Sequence, residues 1–343
     1  MPSSTIDSNS SLLGISVILP VFNSQRTLSE CLSSIDEQDY PKDLVQMVIV
    51  DGGSTDSTLT IARQAEGATI VRNWRRTGEA GKALGVKCAH NEIFAFIDSD
   101  NVLDDPLWFR KMTKPFSDLK IVASEPLYYS RRQRDPAITR YCALIGANDP
   151  LAVYLGNHDR YCYFKRRWTG IAVEQKDNGE YLSVSLKGRI LPTFGANGFL
   201  VRGDIVRRLV PNHFLFDIDL VQELARKGDF SIAKVKIGVV HLFASSLTLF
   251  VRKSYRRARD YWFYSRKGAR SYQWKEQSRL QLLKFVLFSI TIVPMAKDAC
   301  TGYKSSPDTS WFFHPLACFL VLWVYSATFM TNLRTSLSGT RAG

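Results

Sequence analysis

Two aspartates, one residue apart, follow a short apolar run, and their type and spacing could hold a metal ion. The run is Phe94 to Ile97, and Asp98-Ser99-Asp100 comes directly after it. The length and composition of this apolar run predict a buried strand. Side chains two residues apart on a strand point to the same side, so the two aspartates should face the same way. Open α/β sheets bind ligands at the carboxyl ends of their strands. Two oxygen donors there suit a Mg²⁺ or Mn²⁺ ion that keeps its other positions for phosphate oxygens, although an Asp-rich turn would look the same.

The elements that must position these carboxylates come earlier in the chain. The segment from Ile15 to Leu19 predicts a strand that stops at Pro20, and a second strand is predicted from Gln46 to Val50. Each is followed by a polar loop and then by apolar residues at helical spacing. This repeat of strand, loop and helix predicts a parallel, right-handed βαβ arrangement whose loops gather at one edge of the sheet.

Asp51 and the glycines after it have two interpretations. An acidic residue at the end of a second βαβ strand commonly accepts hydrogen bonds from a ribose or base, and Gly52-Gly53 would let the backbone approach that ligand. The alternative is a tight turn in which Asp56 caps the next helix. Because no GxGxxG follows the first strand, a dinucleotide site of the Rossmann type is disfavoured.

Composition limits the class of protein. A chain of 343 residues, 45% hydrophobic and 22% charged, can form one large domain or two smaller ones and is not disordered by composition. The net charge of +13 suits nucleic acid, an anionic membrane or a phosphorylated substrate. The six cysteines form no CxxC and disfavour both disulfides and a zinc site. Residues 1–13 are Ser-rich and predict a flexible leader without a secretory signal.

Four short motifs occur in order along the first part of the chain. They are Ile18-Leu19-Pro20-Val21-Phe22-Asn23, Val50-Asp51-Gly52-Gly53-Ser54-Thr55-Asp56-Ser57-Thr58, Gly81-Lys82-Ala83 and Asp98-Ser99-Asp100. Together they resemble the ordered signature of family 2 glycosyltransferases, and in particular of membrane-anchored bacterial enzymes that build exopolysaccharides or lipid-linked sugars. The resemblance covers about residues 15–243. It implies a GT-A fold, which is a Rossmann-like mixed α/β sheet, with a catalytic domain over 14–245.

The resemblance also implies a nucleotide-diphosphate sugar donor and inversion at the anomeric carbon. Asp51 and the loop after the first strand would read the nucleoside, while Asp100, Asp98 and the diphosphate would hold a divalent metal. The residues implied to bind the nucleotide sugar are Pro20, Val21, Phe22, Asn23, Asp51, Lys82, Asp98 and Ser99. Gly52 departs from the family, which often has a second Asp there, and the otherwise matching glycine pattern tolerates this change.

Lys82 lies in a basic segment that the family places close to the donor diphosphate. Gly78 and Gly81 predict a flexible turn before a helix that begins near Lys82, and helix starts favour anions. Lys82 is therefore the candidate phosphate ligand. The alternative is a solvated surface lysine.

Asp217 and Asp219 open a predicted helix that runs to about Lys227 and closes at Gly228. Family members commonly carry Glu-Asp-x-Asp-Leu here, and alignment on Asp-x-Asp-Leu puts the general base on Asp217 and Phe216 at the Glu position. Asp219 is the fallback. An inverting transfer to a sugar hydroxyl needs such a carboxylate. Both aspartates could instead only cap the helix.

Two further positions follow from the resemblance. His241 ends another apolar strand, where many relatives place a His on the metal or the diphosphate, whereas the alternative is a structural histidine. The glycine-rich segment 192–199 resembles the acceptor loop of the family. Its candidate acceptor residues are Gly195, Asn197 and Gly198, because glycines let a substrate lie against backbone.

From residue 246 the composition changes. Residues 246–279 predict amphipathic helices with one apolar face and one basic face, a pattern typical of membrane interfaces. The apolar positions are Leu247, Phe250, Val251, Tyr255, Ala258 and Trp262, and the basic positions are Arg252, Lys253, Arg256, Arg257, Arg259 and Lys267. Because apolar segments follow, this charge favours phospholipid or an anionic lipid-linked substrate as the partner and disfavours nucleic acid.

Residues 280–331 predict two membrane helices, and 332–343 a tail. Trp311 to Thr331 is long enough for one crossing. Leu280 to Ala296 is shorter and contains a lysine and a proline, so it spans the bilayer only if the lysine snorkels; otherwise it is re-entrant or interfacial. The basic residues before it predict a catalytic domain that faces the cytoplasm and a short outer loop over 297–310.

These features predict an inverting, metal-dependent glycosyltransferase that acts on a membrane lipid-linked saccharide in glycan assembly. A polyprenyl-phosphate acceptor, as in enzymes similar to dolichol-phosphate-mannose synthase, is the alternative, since an ionised phosphate needs no protein base. An inactive membrane-attached scaffold with the same fold is a second alternative. A processive synthase is disfavoured because no Gln-x-x-Arg-Trp follows the base motif.

Overall fold

The computed structural model describes residues 12–187, 190–209, 214–267 and 279–339. The predicted leader lies almost entirely outside the described residues, as do the end of the predicted tail and the basic residues 268–278. The described chain forms a mixed sheet with helices on both faces, and a group of C-terminal helices follows it.

Strands and helices alternate through the first half of the chain. In chain order the described elements are β1 Ile15–Val21, α1 Leu28–Asp36, β2 Val45–Asp51, α2 Thr58–Ala62, β3 Thr69–Arg72, α3 Gly78–Cys88, β4 Ile93–Phe96, β5 Asn101–Val102, α4 Trp108–Thr113, β6 Ile121–Ser130, α5 Ala137–Ile145, α6 Pro150–Tyr154, β7 Gln175–Asp177, β8 Tyr181–Ser185, β9 Phe199–Arg202, α7 Gly203–Leu209, α8 Asp217–Lys227, β10 Ser231–His241, α9 Leu247–Lys267, α10 Arg279–Thr291, α11 Val293–Ser305 and α12 His314–Gly339.

The sheet has the strand order β3-β2-β1-β4-β9-β6-β10-β8-β7, and β5 pairs with the end of β10. The first four strands of this order are parallel, which agrees with the predicted βαβ units. β9 runs antiparallel to β4 and β6, while β6 and β10 are parallel to one another. The predicted mixed α/β sheet is therefore confirmed, and its parallel first part ends at β4.

β1 is longer than predicted. It continues through Pro20, which pairs with Val50 of β2. This is tolerated because β4 pairs with β1 only as far as Ile18, so the missing N–H of Pro20 faces a side where the neighbouring strand has ended. The prediction that Pro20 stops the strand is wrong.

α3 begins at Gly78, one turn earlier than predicted. Thr77 caps it by accepting a hydrogen bond from the N–H of Ala80 at 3.2 Å. A Cβ on Gly81 would lie 3.1 Å from Pro20 Cβ, so this glycine lets the helix approach β1 closely. Lys82 is therefore inside the helix and not at its start.

The sheet separates two hydrophobic cores, and a third lies beside it. Val17 packs with α1 and α4 on one face, and Ile18 packs with α3 and α8 on the other. The third core contains Tyr141 from α5, Phe250 from α9 and Trp311 from the segment before α12. The C-terminal helices are thus packed against the sheet domain through buried apolar side chains.

The predicted pair of membrane helices is changed in the structure. Segment 280–296 is divided between α10 and α11, which meet at a 93° bend. Pro294 lies in the first turn of α11, where proline favours a helix start, and the predicted outer loop 297–310 is consequently mostly helical. Among the described helices, Thr309–Thr331 alone is long and apolar enough to cross a membrane unbroken, with a mean hydropathy of 1.6. The bent pair could add a second crossing only as one broken span.

Candidate active site

The predicted site residues lie at one edge of the sheet, where four strands end. Val21 and Asp51 are paired at the ends of β1 and β2. β4 ends shortly before Asp98, and His241 is the last residue of β10. The N–H of the residue after His241 donates to the carbonyl of Asp100 at 2.8 Å, which holds β10 beside the aspartate motif. Parallel strands thus bring distant motifs to a shared edge.

Asp51 shapes the turn that follows it. Its carboxylate is buried and accepts hydrogen bonds from the N–H groups of Gly53 at 2.9 Å and Ser54 at 3.1 Å. Gly53 has a φ of +86°, a conformation that glycine adopts without strain. Pro20 and Val21 lie at the end of β1 beside this turn. Asp51 therefore organises the loop whether or not it also contacts a nucleoside.

The loop after β1 is fastened to its neighbours by side chains. Asn23 Oδ1 accepts from the N–H of Thr55 at 2.9 Å. The hydroxyls of Ser24 and Ser99 lie 2.8 Å apart, which joins this loop to the aspartate motif. Phe22 is 49% exposed at the same edge and offers an aromatic surface next to the polar loop.

Lys82 joins two of the predicted carboxylates. Its ammonium donates a hydrogen bond to Asp217 Oδ2 in a close contact and lies 3.7 Å from Asp98 Oδ1. Burial disfavours its charge, yet Asp217 and Asp98 hold the pKa of Lys82 above its ordinary value. The side chain is buried, so the alternative of a solvated surface lysine is wrong.

Asp217 begins α8, as predicted. Burial raises the pKa of Asp217 to about 6, although the Lys82 ammonium acts in the opposite direction. Its Oδ2 is bound to Lys82, while its Oδ1 is buried and has no hydrogen-bond partner within the described chain. Asp219 lies in the same first turn of the helix. An unpartnered, buried carboxylate oxygen is suited to accept a proton from a substrate hydroxyl.

Asp100 contacts different partners from Asp98. Its Oδ2 lies 3.5 Å from His241 Nε2 and 3.3 Å from Lys253 Nζ. Burial alone would raise the pKa of Asp100, but these two neighbours hold it below its ordinary value. His241 Nδ1 is buried and lacks a hydrogen-bond partner in the part of the chain that is described.

The predicted metal ligands do not all converge. Across residues 12–187, 190–209, 214–267 and 279–339, no group of three His, Cys, Asp or Glu side chains could hold a metal ion without other ligands. Asp98 faces Lys82, so Asp100 and His241 are the donors that fit. A carboxylate oxygen and an imidazole nitrogen are both acceptable to Mn²⁺, whose other ligands would come from a phosphorylated substrate.

Gly195 brings the predicted acceptor loop against Asp217. It has a φ of +112°, and a Cβ at this position would lie 2.6 Å from Asp217 Cβ. No larger residue could hold this backbone so close to the carboxylate. The close approach leaves the Asp217 side chain directly beside the loop.

Asn197 and Gly198 hold the same loop in place through buried contacts. The Asn197 amide is buried between Asn101, at 2.9 Å, and the hydroxyl of Tyr129, at 2.8 Å. Gly198 has a φ of +84° and packs on Trp108. These two residues fix the loop, while Gly195 lies nearest to the predicted base.

The sequence analysis missed a fully buried ionic cluster behind this loop. Lys234 donates to Glu125 Oε1 at 2.7 Å, and Arg160 Nη1 lies 3.3 Å from the same oxygen. Glu125 Oε2 accepts from the N–H of Gly195 at 3.1 Å, and Arg160 donates to the carbonyl of Ala196. Glu125 and Lys234 are register partners on the parallel strands β6 and β10. The available signal was Glu125 inside the apolar strand β6 and Lys234 inside β10, a mostly apolar strand that also contains Lys236.

The prediction of one basic face on α9 is wrong for two residues. Lys253 and Arg257 turn toward the sheet domain, where they lie 3.3 Å from Asp100 and 3.6 Å from Asp149. Tyr255, predicted on the apolar face, is exposed. The carboxylates of Asp100 and Asp149 attract the two cations, an interaction that periodicity along α9 does not reveal.

The geometry agrees with the family indicated by the motifs. Residues 16–169 match the family model described as glycosyl transferase family 2. A mannosyltransferase from Pyrobaculum calidifontis, solved in complex with GDP-Man and Mn²⁺, has a TM-score of 0.55 and 17% sequence identity to this chain. The match covers 93% of this chain and 88% of that one. This likeness concerns the fold, and it confirms the predicted GT-A architecture.

Curated relatives match only part of this chain. Glycosyltransferase AglE of Haloferax volcanii is 33% identical over 96 residues, which is 26% of this chain and 32% of the relative. The dolichyl N-acetyl-α-D-glucosaminyl phosphate 3-β-D-2,3-diacetamido-2,3-dideoxy-β-D-glucuronosyltransferase of Methanococcus voltae is 34% identical over 86 residues, 23% of this chain and 27% of the relative. The matched stretches thus span about a third of these relatives or less.

Proposed function

We propose that the protein transfers a sugar, with inversion at the anomeric carbon, from a nucleotide-diphosphate sugar to a hydroxyl of a lipid-linked saccharide. The observation that carries this proposal is the buried contact of Lys82 with Asp217, beside Asp98 and beneath the acceptor loop. In this proposal Asp217 is the general base and Lys82 is the phosphate-binding cation, and their contact with Asp98 supports both roles. The match of residues 16–169 to the family 2 glycosyltransferase model supports the class of reaction.

The donor would lie along the ends of β1, β2 and β4. Asp51 and the exposed Phe22 are at the nucleoside end, and Asp98 and Asp100 are at the diphosphate end. Asp100 and His241 would hold a divalent ion, which when bound neutralises the charge that develops on the leaving diphosphate. The solved mannosyltransferase with the related fold contains Mn²⁺, which supports this cofactor.

Asp217 would take the proton of the acceptor hydroxyl as the new glycosidic bond forms. A hydroxyl ionises far above neutral pH, so its attack needs a positioned base. With a pKa of about 6, Asp217 is ionised at neutral pH and is more basic than an ordinary aspartate. Lys82 stabilises this ionised form, and it lies close enough to Asp98 to meet a phosphate at the diphosphate end.

The C-terminal helices would hold the acceptor at a membrane surface. α10 and α12 expose large apolar side chains at helical spacing, a pattern that suits contact with lipid. These exposed residues include Leu280, Leu283, Leu287 and Ile290 on α10, and Leu316, Phe319, Trp323 and Met330 on α12. Exposed Arg256 and Arg259 of α9 would meet anionic headgroups on the cytoplasmic side. The dolichyl-linked substrate in the name of the Methanococcus voltae relative is consistent with a lipid-linked acceptor.

The experiment is a transfer assay with membranes that contain the protein. A panel of nucleotide sugars is combined with lipid-linked saccharides and polyprenyl phosphates, and products are identified by mass and by anomeric configuration. We expect one sugar to be added to a lipid-linked saccharide in an inverted linkage. If a nucleotide sugar binds but no donor and acceptor pair gives a product, the inactive scaffold becomes the better interpretation.

One observation favours transfer to a polyprenyl phosphate as the second candidate. Lys82 occupies one oxygen of Asp217, which reduces the basicity that an attack by a hydroxyl would require. A phosphate oxygen is already ionised at neutral pH and needs no proton acceptor. The two acceptors respond differently to Asp217→Asn, because only the hydroxyl depends on the base.

A further inference from the structure

Two of the basic side chains of α9, the helix that follows the sheet domain, face that domain. Phe250, Ser254 and Ala258 are buried at intervals of one turn, and they mark the side of α9 that packs on the domain. Lys253 is adjacent to this line and only partly exposed, whereas Arg252 faces solvent. The basic residues of α9 therefore do not all belong to the outer surface.

Lys253 reaches the aspartate of the candidate metal site. Its Nζ lies 3.3 Å from Asp100 Oδ2, the same oxygen that lies 3.5 Å from His241 Nε2. The ammonium is also 4.7 Å from the centroid of the Phe243 ring, which guides the end of the side chain toward the aspartate. Arg257, one turn later, lies 3.6 Å from Asp149 and holds this part of the helix against the domain.

We infer that Lys253 belongs to the donor site: it neutralises Asp100 before the metal binds, and it binds the donor diphosphate once a divalent cation has taken Asp100. This inference rests on the proposed function. A divalent ion and an ammonium repel one another at a single carboxylate oxygen, so Lys253 would turn away from Asp100 when Asp100 and His241 hold a metal. Lysine has a flexible four-carbon stem and three donors, and its side chain here is 23% exposed, so it can turn without unfolding the helix. A donor phosphate bound at the same strand edge would then offer the Lys253 ammonium an anionic partner.

Opposite effects of one substitution on two ligands would test this role. Lys253→Met removes the charge and keeps most of the stem. In the full chain we expect Mn²⁺ alone to bind more tightly, by about threefold or more, because its competitor at Asp100 is gone. At saturating Mn²⁺ we expect UDP or GDP, whichever the wild type binds, to lose about tenfold in affinity, as for the loss of one charge-assisted hydrogen bond. Both affinities are measured by calorimetry, so no turnover is required.

Arg252→Met is the matched control, since it removes a cation from the preceding, exposed position of the same helix. It should leave both affinities within about twofold of the wild-type values. Lys253→Arg should retain most of the nucleotide affinity, and Lys253→Gln replaces Lys253→Met if the latter does not fold. Weaker Mn²⁺ binding in the uncharged variant, or unchanged nucleotide affinity, would overturn the inference while leaving the proposed function intact. A wild-type protein that binds neither Mn²⁺ with UDP nor Mn²⁺ with GDP would overturn both.

Discussion

The two halves of the candidate active site are assembled in different ways. The donor half comprises the nucleoside loops and the aspartate motif at residues 98–100. In this half, Asp51 accepts a hydrogen bond from a backbone N–H two residues away, and Asn23 accepts one from a loop 32 residues away. In the acceptor half, Lys82 meets Asp217 across 135 residues, and Lys234 meets Glu125 across 109. The first half is built by polar side chains that accept hydrogen bonds from backbone N–H groups of the loops, and the second by buried ion pairs between distant elements.

This difference affects how each half can fail. Loss of a carboxylate in the donor half removes a ligand but little packing, because the surrounding turns are held by several independent hydrogen bonds. Loss of one charge from the fully buried cluster of Glu125, Lys234 and Arg160 weakens the compensation of the remaining charges, which destabilises the fold itself. Loss of a donor-half carboxylate should therefore lower activity with the fold intact, whereas loss of the Lys234 charge behind the acceptor loop should lower stability.

The largest expected effect is on chemistry in the donor half. Asp100→Asn should lower transfer by at least about 10³-fold, since the charge that a metal neutralises is worth several kcal/mol. The melting temperature should stay close to that of the wild type. Initial rates and thermal unfolding test whether activity falls while stability is kept. Asp43→Asn, at an exposed position, is the control. Full activity of Asp100→Asn, or of the wild type in excess chelator, would remove Asp100 from the metal site.

Lys234→Met should produce the opposite pattern in the acceptor half. It removes one of the two buried cations that pair with Glu125 and should cost about 3 kcal/mol of unfolding free energy. Lys236→Met is the control, because this residue lies on the same strand and pairs with Asp177 at the surface. Denaturant unfolding of both variants gives the result. Equal stability of the two variants would mean that the buried cluster does not support the acceptor loop.

Gly195→Ala tests whether the close approach of the acceptor loop matters. The new Cβ would collide with Asp217, and a displacement of the base by about 1 Å should lower turnover by roughly 10²-fold. Gly179→Ala shares the positive φ, here +82°, but its Cβ would meet nothing within 4 Å. Comparable turnover in the two alanine variants would mean that the close approach of the acceptor loop to Asp217 does not contribute to catalysis.

The smallest expected effect is a shift of the pH profile. The base works when ionised, so kcat/KM should be constant well above pH 6 and fall about tenfold per unit below it, in line with the Asp217 pKa of about 6. Lys82→Met removes a charge that lowers this pKa, so the acid limb should move to higher pH, by about one unit or more. A limb that stays in place would mean that Lys82 does not set the basicity of Asp217.

The same contrast explains how much of the molecule could be predicted from the sequence. Asp51, Asp98 and Asp100 come at the ends of apolar strands within short motifs, so they can be predicted from the sequence without knowledge of the fold. The partners of Asp217 and Asp100 could not be found in this way. Lys82 was predicted at a helix start because glycines usually break helices, and only the packing of Gly81 on Pro20 shows why the helix begins earlier.

The C-terminal region was harder to predict for a related reason. Periodicity identified α9 as an amphipathic helix but could not show which of its cations face inward, since that depends on carboxylates far away in the sequence. The bend between α10 and α11 is marked by Pro294, yet hydropathy alone treated the segment as one helix. The buried pair of Glu125 and Lys234 required the register of β6 and β10.

The central claim is that Asp217 acts as the base for a hydroxyl acceptor, and one comparison of rates tests it most directly. Transfer to the lipid-linked saccharide identified by the acceptor panel is measured at saturating donor for the wild type, Asp217→Asn and Asp219→Asn. We expect Asp217→Asn to lower turnover by roughly 10² to 10⁴, with the KM for the donor nearly unchanged, because the shape is kept and the basicity is lost. Near-normal turnover with Asn at 217, and likewise at 219, would contradict the claim and favour a phosphate acceptor.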